Sequence, residues 1–172
     1  MNILEKIILL FKKPRIVVLA ENDRERIEGI AATIAGSRFR IKREVLFAAD
    51  LEKTRLSFKE CLVYNFDKEG LRKIREKAPE TKLLTFGFQE GANFQASDLR
   101  QGEEDKSSSS PVTAARENGG TNFKINYQGK IVPVWLEGSP TREEIYSVLA
   151  ASAIGVLLGL NLVEISQALK ES

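Results

Sequence analysis

After Pro14 the chain reads Arg15-Ile16-Val17-Val18-Leu19-Ala20, an unbroken apolar run of the kind carried by a strand buried on both faces. A polar stretch from Glu21 to Arg26 follows. Ile27, Ile30, Ala31 and Ile34 then recur at helical spacing, and Gly36 is placed to close that helix. Arg38, Arg40 and Lys42 alternate with Phe39 and Ile41, which predicts an amphipathic strand with one basic face. A solvated face is the plain reading of those cations, and an anion-binding patch is the alternative. A second strand-loop-helix unit begins at Cys61-Leu62-Val63-Tyr64, turns at Asn65-Phe66-Asp67 and continues as a helix over Lys68 to Lys77, broken by Pro79. Lys82-Leu83-Leu84-Thr85-Phe86 is the next strand, ended by Gly87. Strands that alternate with helices predict a parallel sheet with helices packed on it.

The pattern then changes. Phe94 to Leu99 and Asn122 to Tyr127 read as strands, and Gly129 turns the chain into a further strand over Ile131 to Leu136. Between them, residues 101–120 hold Gly102, Glu103, Glu104, Asp105, the serines Ser107 to Ser110, Pro111, Gly119 and Gly120. That composition predicts a disordered loop joining two antiparallel strands. Ser139-Pro140 is one good helix start, and Thr141 with Glu144 forms an alternative capping box. Val148 to Leu160 is apolar or small throughout, shorter than the ~20 residues of a membrane span, and suits a buried core helix. Gly159 and Asn161 are expected to end it, and Leu162 to Lys170 to form a last amphipathic helix. The expected fold class is α/β: a mostly parallel sheet flanked by helices, with a small antiparallel β-hairpin unit and a helical C-terminus. The expected organisation is a single domain over residues 1–172.

Composition narrows the chemistry. Hydrophobic residues at 42% and charged residues at 29% suffice for a core without disulfides or metal. Lys and Arg total 26 against 24 Asp and Glu, so no overall charge favours nucleic acid or an anionic membrane. The absence of histidine excludes an imidazole base and most zinc sites. A single cysteine, Cys61, excludes an internal disulfide and makes a cytoplasmic location the default. Residues 3–11 would place Ile3, Ile7 and Phe11 along one side of a helix that Lys12-Lys13-Pro14 ends. No small-residue cleavage site follows it. The plain reading is a helix docked on the domain. The alternative is membrane-surface or partner contact through residues 3–13.

From Cys61 to Lys170 the sequence resembles the central domain of the Mur ligases, the ATP-dependent amide-forming enzymes of peptidoglycan synthesis, and is most similar to their D-alanyl-D-alanine-adding branch. The resemblance rests on Val63-Tyr64-Asn65-Phe66-Asp67; on Leu83 to Phe88 with Ala96-Ser97-Asp98-Leu99-Arg100; on Gly120 to Ile125; and on Arg142 to Ala151. Their order and spacing together carry it. Lys13-Pro14 and the strand after them match the lead-in to that family's ATP-binding loop, Thr-Gly-x-x-Gly-Lys-Thr. The aligned stretch here is Leu19-Ala20-Glu21-Asn22-Asp23-Arg24-Glu25-Arg26. On that alignment both glycines are replaced, Arg24 stands for the lysine and Glu25 for the magnesium-binding hydroxyl.

A phosphate loop needs glycines so that backbone N–H groups can close around the anion, a lysine for charge, and Ser or Thr on magnesium. A carboxylate ~5 Å from a phosphate costs ~3 kcal/mol at an effective dielectric of ~20, and this loop carries Glu21, Asp23 and Glu25. Arg24 and Arg26 offset part of that without rebuilding the cradle. The family's His-Asn-x-x-Asn helix start, whose two Asn help to hold adenine, aligns with Glu143, Glu144 and Ser147. Only residues 37–60 lie where the family has its metal- and phosphate-holding segment. The resemblance covers the central domain alone, so neither a UDP-sugar-binding domain nor a closing C-terminal domain is expected in the chain.

Asn65 and Asp67 are retained, at the carboxyl end of a strand where open parallel sheets bind ligands. They are candidate cofactor-binding residues, with a plain turn as the alternative. Asn22 and Arg24 are the candidates at the degenerate phosphate-loop position. No metal ligands, catalytic residues or bound cofactor are expected, although the resemblance would imply ATP and magnesium. The function expected is that of a catalytically inactive Mur-ligase-like interaction or regulatory module linked to peptidoglycan synthesis. Its partners by analogy are cell-wall synthesis proteins or a second copy, and not nucleic acid. The alternatives are a small-molecule binder with a partial nucleotide or UDP-sugar pocket, and one part of a ligase assembled with other chains.

Overall fold

The computed structural model describes residues 15–19, 23–36, 45–48, 60–70, 74, 76, 79, 81–101 and 120–170. The expected N-terminal helix over 3–11, Asn22, the basic alternation at 38–42 and the predicted loop between Gln101 and Gly120 lie outside them.

The elements are β1 (Arg15–Leu19), α1 (Arg24–Ala35), β2 (Val45–Ala48), β3 (Glu60–Asn65), β4 (Lys82–Gly87), β5 (Phe94–Gln101), β6 (Gly120–Tyr127), β7 (Lys130–Glu137), α2 (Arg142–Leu158) and α3 (Leu162–Lys170). The strands form a seven-stranded sheet in the order β2-β1-β3-β4-β5-β6-β7. Neighbours from β2 to β5 are parallel, and β5-β6 and β6-β7 are antiparallel. The expected α/β architecture is therefore present. Its antiparallel unit is a continuation of the parallel sheet.

The continuous apolar runs are explained by cover on both faces. Ile16, Val18, Cys61, Val63, Leu84 and Phe86 face the large core with α1 and α2. Val17, Leu62 and Tyr64 face a smaller cluster closed by Ile74. In β6 and β7 only one face is covered: Phe123, Ile125, Val132 and Val134 are buried and alternate with exposed Asn122, Lys124, Pro133 and Trp135. Gln128 and Gly129, at φ 50° and 75°, make the two-residue hairpin turn whose twist matches the strands.

The last two helices start on side-chain caps. Thr141 accepts from the Glu144 N–H at 3.3 Å while the Glu144 carboxylate accepts from the Thr141 N–H at 2.7 Å. The capping box rather than Ser139-Pro140 thus starts α2. Asn161 does not close α2; Gly159 does. Asn161 opens α3, accepting from the N–H groups of Val163 and Glu164 at 2.9 and 3.0 Å. The second unit also differs from expectation. Asn65 is the last residue of β3, residues 66–70 form a turn, and the described helical positions beyond it are Ile74 and Glu76. At the β7 edge, Ser166 of α3 donates to the Pro133 carbonyl at 2.6 Å. That carbonyl points away from β6. The N–H that proline lacks would point the same way, so no ladder bond is lost.

Two features of topology position the site. The chain runs from β1 to β2 on one side, then to β3 on the other. In open parallel sheets, this reversal places the ligand crevice at the carboxyl ends of β1 and β3. Further along, β5 pairs with β4 only through Phe86↔Phe94 and Gly87↔Gln95, the last two residues of β4. The rest of β5 therefore runs past the carboxyl edge of the parallel strands.

Candidate functional site

Asn65 ends β3 with 5% of its surface exposed, and its side-chain oxygen accepts the Asp67 N–H at 2.9 Å. This Asx turn bends the chain over the edge of the sheet and aims the Asp67 side chain at β4. Gly87 leaves room for it: a β-carbon there would lie 2.6 Å from Asp67 Oδ1 and 2.8 Å from its Cγ. The carboxylate accepts from the Phe88 N–H at 2.7 Å, the Gln89 N–H at 3.0 Å and the Tyr146 hydroxyl at 2.7 Å. Arg142 Nη2 stands 3.6 Å away, and the Asp67 side chain is 6% exposed.

The partners are themselves held. Arg142 Nε donates to the Tyr146 hydroxyl at 3.0 Å, one turn along α2. The Arg142 guanidinium lies 4.6 Å from the centre of the Phe88 ring, and Phe88 meets Tyr146 edge-to-face at 5.3 Å. Asp67 thus joins three pieces of chain: the end of β3, the start of the β4–β5 connection and the first turns of α2. Asn93 closes the other end of that connection by accepting from the Thr85 N–H and hydroxyl at 2.9 and 3.0 Å.

Burial raises the Asp67 carboxyl pKa, but the Phe88 N–H, the Tyr146 hydroxyl, the Gln89 N–H and Arg142 together carry it below the ordinary aspartate value. The Tyr146 hydroxyl moves the other way, raised by burial and by its bond to the carboxylate. A carboxylate held ionised in this way is a weak base. It has about four acceptor positions, and donors of the same chain occupy three of them. Through these bonds it braces the elements against one another.

Of the other sequence candidates, Asn22 lies outside the described residues and Arg24 has different partners. Arg24, the first residue of α1, is exposed. It pairs with Glu28 one turn on at 3.9 Å and lies 5.7 Å from the Phe47 ring. Asp23 caps α1 with no side-chain hydrogen bond. Arg26 reaches Glu144 at 3.6 Å and so ties the starts of α1 and α2 together. At the positions aligned with adenine readers, Glu144 is engaged in its cap and Ser147, 1% exposed, donates back to the Glu143 carbonyl at 3.0 Å. Among the described residues no group of three His, Cys, Asp or Glu could hold a metal ion, and no helix is long and apolar enough to cross a membrane.

Sequence reasoning assigned no part in the site to Gly87, Phe88, Arg142 or Tyr146. The Arg142–Tyr146 spacing of four at a helix start was the available signal, since it puts both side chains on one face.

A search of solved structures is decisive for the architecture. A crystal structure of MurF from Acinetobacter baumannii superposes with a TM-score of 0.61 at 13% identity, covering 91% of this chain and 45% of that one. The fold is that of the Mur ligases. A UDP-N-acetylmuramate:L-alanyl-gamma-D-glutamyl-meso-diaminopimelate ligase from Neisseria meningitides matches at a TM-score of 0.55 and 12% identity, over 96% of this chain and 68% of that one. The chain spans 45% of the length of the MurF structure. No protein-family model matches the sequence, and no curated protein sequence does either. Within the Mur-ligase fold, the stretches that carried the resemblance fall on β3 and its turn, on β4 and β5, on β6 and on α2.

Proposed function

We propose that the chain is a non-catalytic module with the Mur-ligase fold, working in the cytoplasm through contacts with other proteins in the setting of peptidoglycan synthesis. One observation carries this reading. The carboxylate at the crevice, Asp67, is consumed by Phe88, Gln89, Tyr146 and Arg142 of its own chain. The loop position supports it, because Glu21, Asp23 and Glu25 stand where a phosphate cradle needs glycine and a hydroxyl. The partners that fit are peptidoglycan-synthesis enzymes or a second copy of the chain. The retained fold supplies the docking body, and the neighbouring chains supply the chemistry.

The test is calorimetric titration of the folded protein with Mg-ATP, Mg-ADP and a UDP-sugar, beside sedimentation of the protein alone and mixed with purified peptidoglycan-synthesis ligases. Silence at millimolar ligand, with a faster-sedimenting species in the mixture or alone, is the expected result. A micromolar constant abolished in Asp67→Ala would replace this reading with that of a nucleotide or sugar binder. ATP turnover in any mixture that depends on this chain would overturn the non-catalytic assignment.

A further inference from the structure

We draw no further inference here: the strongest candidate, the open cleft of about 540 Å3 where β7, the start of α2 and the end of α3 bring Trp135, Leu136 and Pro140 beside Arg26, Glu137 and Lys170, is an unpartnered surface, and nothing in the structure shows what covers it.

Discussion

The parallel strands β1 to β4 and the antiparallel strands β5 to β7 share one sheet but are stabilised differently. The parallel part is covered on both faces, and Val17, Val18, Cys61, Leu62 and Val63 are fully buried. The antiparallel part is covered on one face, leaving Ile131 at 60% and Trp135 at 40% exposure on the other. Position along a strand therefore means little in the middle of β1 and β3, where successive residues are all inside, and a great deal in the second part, where it alternates between core and solvent. The two parts are joined by a pairing only two residues long, and the Asp67 carboxylate holds the connection between them. The residue that stands where open parallel sheets bind ligands thus also fastens two kinds of sheet together.

Four variants would break or sharpen that contrast. The largest effect is expected from Leu149→Ala. This α2 residue is fully buried in the large core, so truncation should cost about 2–5 kcal/mol in urea unfolding. A value under 1 kcal/mol would mean that the helical layer does not carry the parallel half.

Gly87→Ala comes next, at about 1–3 kcal/mol, because the new methyl would press on the Asp67 carboxylate. The loss should shrink when Asp67→Ala is already present. Additive losses would show that the two residues do not share the space as described.

The fastening should also be visible in acid. Asp67 has a folded pKa below its unfolded one, so its contribution is complete above the ordinary aspartate pKa of about 3.9 and is lost as the pH falls through the folded value. The stability gap between wild type and Asp67→Asn should therefore narrow between about pH 5 and pH 2. A gap constant across that range would remove the charged carboxylate from the account.

The smallest effect belongs to the exposed face. Ile131→Ser should change stability by no more than about 0.5 kcal/mol, measured in the same denaturant series.

The same contrast explains what the sequence revealed. The β6–β7 hairpin was legible from two strand runs on either side of Gly129, and α3 was legible to the residue because its apolar stripe is clean. The two parallel units were legible from their runs, although β2 at Val45–Ala48 was not anticipated. Its four residues are short and lack alternation, and the basic pattern at 38–42 offered a more regular signal. At the site, Asn65 and Asp67 stood out by resemblance and turn chemistry. Their use did not, because the Asp67 partners lie 21, 22 and 79 residues further along the chain. No local pattern encodes a bond over that separation. Gly87 looked like a strand terminator, whereas its lack of a side chain makes room for a carboxylate.

The proline and serine at the β7 edge have a consequence for assembly. Strand-by-strand addition of copies needs two open edges per molecule, one to receive and one to offer. At Pro133, in the middle of β7, the carbonyl is taken by Ser166 and there is no N–H to offer. An added strand would lose its pairing at that position, which disfavours growth of the sheet outward from β7.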